Sequence, residues 1–145
     1  MATAVAAPRV MNGTFTEVWI DGIPVAGLSA FNAKITKQKQ DVNMCGQMAI
    51  DSKTTNTKGT GSVELWHIYS TFADEATNLE SGIDARHTII GKVADPDAFG
   101  HERVAFYNCS FDEFALMDMT AGTPGKNTLP FTFTKAEYLD KVEAE

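Results

Sequence analysis

This chain of 145 residues lacks most of the features by which membrane, secreted and disulfide-rich proteins are recognised. No apolar stretch approaches the roughly 18 residues of a transmembrane helix, so we expect no membrane span. The N-terminal segment has no charged leader before an apolar core, which argues against a secretory signal. The two cysteines, Cys45 and Cys109, lie far apart without CxxC spacing, so we expect two reduced thiols and neither a disulfide nor a zinc site.

The chain also lacks the residue patterns of a catalytic or cofactor site. Its three histidines, His67, His87 and His101, include no HxH or HxxxH pair that could place two ligands on one metal ion. No GxSxG elbow is present, and the glycine-rich segment 58–62 is not a phosphate-binding loop. The segment 95–106 begins like a calcium loop but has Phe99 and Phe106 at ligand positions. We predict no enzymatic activity, no metal and no cofactor.

What the chain does have is an average globular composition with unevenly placed charge. Hydrophobic residues make up 43% and charged residues 21%, which predicts one folded domain. The net charge of −7 argues against tight nucleic-acid binding, which depends on Lys and Arg. Residues 31–60 carry five Lys and two Asp (+3), whereas residues 74–120 carry ten acidic and three basic residues (−7). This segregation suits a surface that meets another copy, although solvated faces of a monomer would show it too.

Most of the chain has the composition and alternation of β-strands. Asp21-Gly22 separates two β-prone runs, which predicts a hairpin. Pro130 predicts that its strand, or at least that position, lies at a sheet edge. The predicted fold is therefore mainly β, a β-sandwich or barrel. The predicted strands are 13–20, 23–35, 62–69, 85–94, 103–112 and 128–134.

One short amphipathic helix is predicted to pack on the sheet. Thr71 can cap it, Asp74 and Glu75 lie in the first turn where the helix dipole favours acidic residues, and Gly82 ends it. Its apolar stripe consists of Phe72, Ala76 and Leu79.

The segment 37–61 is polar and rich in Lys, Gln, Thr and Asn, which is unusual inside a compact domain. Because its Thr-rich part is β-prone, we predict an extended arm or hairpin that orders against a neighbouring chain; a mobile surface loop is the alternative. We divide the chain into an N-terminal flexible arm (1–12), a single β domain (13–134) with an extended arm (40–61), and a charged C-terminal tail (135–145).

Between about residues 13 and 134 the sequence resembles the tail tube proteins of contractile phage tails, defective prophages and phage-tail-like bacteriocins. Four collinear groups of residues carry this resemblance, in the order that the predicted strands, arm and helix require. They are Asp41-Val-Asn-Met-Cys-Gly46 with Met48; Ser52-Lys-Thr-Thr55 with Gly59-Thr-Gly61; Glu102-Arg-Val104 with Tyr107-Asn-Cys-Ser-Phe-Asp112; and Leu129-Pro-Phe-Thr-Phe133.

The resemblance implies a structural subunit whose six copies form a ring, with rings stacking into the hollow inner tube of a virion tail or tail-like particle. It implies assembly in the bacterial host cytoplasm, with tail sheath, baseplate, tape-measure and tail terminator proteins as partners. DNA would be a transient passenger, because a hexamer carries 6 × (−7) = −42 and an acidic bore would repel it. A secretion-system tube protein and a monomeric β-sandwich binding module, for instance for a glycan, are the alternatives.

The arm supplies the candidate interface residues. We predict that Lys53 and Lys58 contact acidic residues of a neighbouring subunit or ring, and that Met44, Met48 and Ile50 are apolar anchors.

Overall fold

The computed structural model describes residues 6–70, 72–77, 81–98 and 100–142. It confirms a mainly β fold with one short helix. Two single 3-10 turns, Ala7–Arg9 and Gly13–Phe15, precede the first strand. The strands are β1 (Thr16–Ile20), β2 (Ile23–Pro24), β3 (Leu28–Val42), β4 (Asp51–Trp66), β5 (His87–Val93), β6 (Glu102–Phe111), β7 (Lys126–Phe133) and β8 (Lys135–Asp140), and the helix is α1 (Ala73–Thr77).

The strands form two antiparallel sheets that share β6. The first sheet has the order β2-β1-β5-β6-β8, and the second continues from the end of β6 through β7 and β4 to β3. The chain changes sheets at Thr134, between β7 and β8, opposite Asn108 on β6. Asn108 has a left-handed φ of 59°, and its side-chain amide donates to the Thr134 hydroxyl at 3.3 Å. This irregularity lets one strand serve both sheets.

The core lies between the two sheets and is built from alternate residues of their strands. Five phenylalanines form its centre, with ring centroids 4.9 Å apart for Phe106 and Phe133 and 6.0 Å apart for Phe31 and Phe131. The first pair is tilted and the second is stacked, and aromatic pairs at such distances add to the stabilisation from burial alone. The buried hydrophobic residues are Val18, Ile20, Val63, Leu65, Ile89, Ala105, Phe106, Cys109, Phe111, Leu129, Phe131 and Phe133.

The predicted hairpin at Asp21-Gly22 is confirmed. Trp19 pairs with Pro24 across the turn, and both turn residues have positive φ, 53° and 81°, as a type I′ turn requires. The run after the turn is not one strand, however. It divides into β2 and β3, because the chain bends at Gly27, where φ is 72°.

The predicted helix is present within the described residues. α1 covers Ala73–Thr77, and Gly82 has a φ of 77°, which a right-handed helix cannot adopt. The predicted cap Thr71 and the predicted stripe residue Leu79 lie outside the described residues. Phe72, directly before α1, packs against Phe111 with ring centroids 5.1 Å apart, so the helix is fixed to the end of β6.

One prediction about the C-terminal part is wrong. The segment 135–145 was predicted to be a charged tail outside the domain, but β8 pairs along β6 between Arg103 and Tyr107. The prediction for Pro130 holds for that position and not for the whole strand, because β4 pairs along all of β7 whereas β6 pairs only with Phe131 and Thr132. The proline is tolerated because β6 ends beside it, where the Asp112 N–H donates to the Pro130 carbonyl.

Among the described helices, none combines the length and the apolar character needed to cross a bilayer.

Candidate assembly surfaces

The polar segment forms the outer part of a long β3–β4 hairpin that extends beyond the body of the domain. β7 pairs with β4 only from Gly59 to Trp66, so the hairpin has no other strand beside it at residues 37–58 within the part of the chain that the structure describes. At about 3.4 Å per residue, its six pairs from Lys37 to Val42 extend about 20 Å. We call residues 37–58 the projecting hairpin. All its residues are exposed except the half-buried Val42.

An isolated two-stranded hairpin is marginally stable in water. The projecting hairpin therefore has the construction of an element that gains stability from contact with a partner.

The loop at the end of the projecting hairpin, residues 43–50, exposes apolar side chains. Met44, Met48 and Ile50 are 55%, 99% and 64% exposed, and the thiol of Cys45 is exposed beside them. Flexible, polarizable methionines on a surface suit contact with irregular apolar partners. We call residues 43–50 the hairpin tip. The structure thus places the three predicted apolar anchors together at one end of the molecule.

Lys53 and Lys58 lie on the same face of the projecting hairpin because of a β-bulge. Five residues apart on a regular strand, they would point to opposite faces. The pairing shifts at Thr55, and as a result Lys58 lies opposite Thr36 while Lys53 lies opposite Gln40. Thr36 and Gln40 are four residues apart on the unbulged strand β3, and directly opposite residues share a face. Both lysines are exposed and available to one partner surface.

Three strands have an open edge, meaning that no strand within the described residues pairs with one of their sides: the two-residue β2, which pairs with β1 alone, and the longer β3 and β8. β3 pairs with β4 alone, and β8 pairs with β6 alone. The open edge of β3 is 15 residues long. Long unpaired edges are templates for pairing with another chain unless they are covered or interrupted.

At the opposite end of β4, His87 joins three elements of the fold. Its Nδ1 lies 2.6 Å from an oxygen of Asp21 in the β1–β2 turn, and its Nε2 lies 2.9 Å from both carboxylate oxygens of Glu75 on α1. Burial alone would lower the pKa of His87, but the hydrogen bonds to the two carboxylates outweigh it and raise the pKa above the usual 6.5. The sequence did not predict this cluster, since its members are distant in the chain.

A groove lies beside this cluster. It has a volume of about 400 Å³ and is lined by apolar residues together with Asp21 and Glu75. We call it the base groove. Its walls are formed mainly by Ile20, Pro24, Val25, Trp66, Tyr69 and Phe72.

The sites that the sequence argued against gain no support from the described residues. No group of three or more His, Cys, Asp or Glu side chains lies close enough there to hold a metal ion. Asp95 is buried, and its carboxylate accepts the backbone N–H groups of Asn12 and Asp97 at 2.9 Å, so it is a structural acceptor in a turn. Burial raises the pKa of Cys109 to about 11, which makes its thiol unreactive.

The glycine-rich segment has a packing role. A Cβ on Gly59 would lie 2.4 Å from the ring of Phe133, and one on Gly61 would lie 2.4 Å from the carbonyl oxygen of Asn32 and 2.7 Å from the ring of Phe131. These glycines let the two rings lie directly over β4. This packing accounts for the glycines without a phosphate ligand.

A long open-edged strand, an exposed hairpin and two dissimilar ends are features of a subunit that assembles. The sequence matches the family described as phage tail tube protein over residues 3–140. The chain belongs to the phage tail tube protein family. The match extends beyond the residues 13–134 that carried the resemblance and includes β8, in agreement with its place in the sheet.

Individual relatives agree with the family. The chain is 26% identical over 142 residues to the phage-like element PBSX protein XkdM of Bacillus subtilis strain 168, covering 96% of this chain and 97% of the relative. The fold is similar to a chain of the anti-feeding prophage tube-terminating cap, with a TM-score of 0.75, 7% identity, and 97% and 100% of the two chains covered. It is also similar to a chain of the sheath/tube terminator of an extracellular contractile injection system, PVC, with a TM-score of 0.74, 6% identity, and coverage of 93% and 100%.

These findings confirm the predicted family and the mainly β, tail-tube-like fold. As a tail tube protein, the chain is a structural subunit of a phage tail or tail-like particle, and its partners are other components of such an assembly.

Proposed function

We propose that six copies of this chain form a ring and that rings stack into the hollow inner tube of a contractile tail, with no enzymatic activity. The observation that carries the proposal is the projecting hairpin, about 20 Å of paired strand with no other strand beside it in the described part of the chain. Residues 37–58 carry four Lys and two Asp, a net charge of +2, while the complete chain carries −7. A neighbouring copy therefore offers the hairpin both a surface to pack on and opposite charge.

Ring closure gives the open edges a partner. The free side of β3 in one copy can pair with a free strand edge of the next, and a closed ring leaves no such edge exposed. Sixfold symmetry comes from the resemblance to the tail tube family, and the open edges on β3 and β8 are consistent with cyclic closure at any order.

The tube would conduct material without binding it. Six copies carry 6 × (−7) = −42, so DNA phosphates are repelled on the whole and can slide. The tube would serve as a conduit for DNA in a phage or as a puncturing device in a bacteriocin-like particle. Sheath, baseplate, tape-measure and tail terminator proteins would be its partners, and assembly would take place in the cytoplasm of the bacterial host.

The double variant Lys53→Glu/Lys58→Glu tests the role of the projecting hairpin. Both side chains are exposed on one face, so the monomer should fold normally, while charge reversal should repel acidic residues of the neighbouring copy. We expect tube growth, followed by light scattering and negative-stain electron microscopy, to be abolished at concentrations at which the wild type polymerises.

The matched control is Lys135→Glu/Lys141→Glu, which changes the net charge equally at two exposed lysines on or directly after β8, away from the hairpin. Circular dichroism should report the same fold for all three proteins. Normal tubes from the hairpin variant, or equal loss of tubes in the control, would contradict the assigned role.

A further inference from the structure

We infer that His87 is a pH-dependent latch: its charged ring holds α1 against the β1–β2 turn, and loss of the charge releases α1 beside the base groove. The ring bridges two carboxylates, with Nδ1 2.6 Å from an oxygen of Asp21 and Nε2 2.9 Å from both oxygens of Glu75. The movement takes place within one subunit, so it goes beyond the proposed function and can be tested whether or not the subunit forms tubes.

The number of N–H groups on the imidazole ring makes the two contacts depend on its charge. A protonated ring donates from both nitrogens, whereas a neutral ring donates from one nitrogen and has a lone pair on the other. In a neutral His87, a lone pair would therefore lie 2.6 or 2.9 Å from a carboxylate oxygen, and the two would repel each other. A neutral ring can hold Asp21 or Glu75, but not both.

Asp21 is the carboxylate that keeps its contact, because it has further anchors in the fold. One oxygen of Asp21 accepts the Thr88 N–H at 3.0 Å, and the Asp21 N–H donates to the Thr88 carbonyl at 2.9 Å. Among the described residues, the carboxylate of Glu75 has no hydrogen-bond partner besides His87. The neutral ring therefore keeps its proton on Nδ1 beside Asp21, and Nε2 loses Glu75.

α1 is short enough to move when this contact is lost. It has five residues, Ala73–Thr77, and a helix of that length is not stable in water without tertiary contacts. Phe72, directly before α1, stays packed on Phe111 with ring centroids 5.1 Å apart and provides a pivot. Because Phe72 and Glu75 both line the base groove, movement of α1 opens the groove on that side.

The other groups that face the ring among the described residues do not change charge in the same range. Cys109 lies directly opposite His87 on β6, and burial raises the pKa of its thiol to about 11. Phe111, whose ring lies 5.3 Å from that of His87, has no charge. Burial acts to lower the pKa of His87, but the hydrogen bonds to the two carboxylates raise it above 6.5. The latch is therefore closed at pH 6 and opens as the pH rises through the folded-state pKa.

A dye on α1 measures the release. Bimane, an uncharged fluorophore, would be attached to Asp74→Cys in a Cys45→Ser background, because Asp74 is exposed on α1 and Cys109 is buried. Time-resolved anisotropy then reports the local mobility of α1. We expect a high residual anisotropy at pH 6 and a loss of it at pH 9. The matched label at Ile23→Cys, exposed on β2 after the turn, should not change.

Two variants connect the release to the charge on His87. His87→Lys keeps a cation at both pH values, so the anisotropy at Asp74→Cys should stay high at pH 9. Glu75→Gln has an amide that can accept from Nε2–H or donate to the bare nitrogen, so it should also remove the change. This second variant leaves His87 in place and serves if the lysine variant folds poorly by circular dichroism.

Three results would overturn the latch. They are an anisotropy at Asp74→Cys that does not change with pH, an equal change at Ile23→Cys, and a change that persists in both His87→Lys and Glu75→Gln. Electron microscopy of the wild-type protein decides the proposed function separately, because tubes formed by a subunit whose α1 does not move would leave that function standing.

Discussion

His87 is the residue whose protonation matters most to the stability of the subunit. Its ring bonds to Asp21 and to Glu75, and its side chain is only 14% exposed. The pKa of Asp21 is lowered, since burial acts to raise it but the hydrogen bonds from His87 and the Thr88 N–H prevail. Both directions favour the ion pair, so the charged ring holds the β1–β2 turn against α1.

A pH-dependent stability should follow from His87. The folded-state pKa of His87 is raised above 6.5, so its contribution is complete below pH 6.5 and is lost as the pH rises through the folded-state value. His87→Gln should lower the free energy of unfolding by about 1–2 kcal/mol at pH 6, a figure reduced for the partial exposure of Asp21, and by less at pH 9. Urea denaturation at both pH values measures this.

Val18→Ala is the control for that experiment, because Val18 is a buried core residue without a titratable side chain. Its effect should be the same at pH 6 and pH 9. A destabilisation by His87→Gln that does not change with pH would show that the ring acts by packing alone.

Some contacts of individual residues could not be predicted from the sequence. The β-prone composition of residues 62–69 was sufficient to predict a strand there, in which Val63 and Leu65 are buried. It did not indicate that Gly59 and Gly61 are there to admit Phe133 and Phe131, because the rings come from a strand about 70 residues later. The His87 cluster was not predicted for the same reason, since Asp21, Glu75 and His87 meet only when three elements pack.

At the scale of elements, β8 differs from its prediction, and the strands of the predicted hairpin extend beyond the predicted spans 23–35 and 62–69. β3 and β4 were predicted only where apolar residues alternate, and the Thr-, Lys- and Gln-rich continuation was open to several conformations. A strand that is polar on both faces has no period-2 signal, and the bulge at Thr55 depends on cross-strand pairing that one segment does not encode. The residues of β8 do not alternate between buried and exposed. Without that alternation, the segment was interpreted as a charged tail.

A truncation after Thr134 tests the corrected assignment of β8. Removing β8 exposes the edge of β6 between Arg103 and Tyr107 and loses the ladder hydrogen bonds there. We expect the free energy of unfolding to fall by about 2–4 kcal/mol, measured by thermal and urea denaturation. A chain that ends at Val142 keeps all of β8 and should unfold like the full chain; equal stability of both truncations would restore the tail interpretation.

At the scale of the whole molecule, the two ends of the subunit differ. One end has the hairpin tip, with apolar side chains and nearby lysines, and the other has the base groove with its carboxylates. The charge segregation predicted from the sequence thus corresponds to separate parts of the fold. Membership of the phage tail tube family fits this directionality, because a tube grows by adding identical units head to tail.

The most direct test of the central claim is negative-stain electron microscopy of the purified protein, with sedimentation velocity, over a range of concentrations. The account predicts rings with sixfold end views that stack into hollow tubes as the concentration rises. A protein that remains a monomer at high concentration would contradict it.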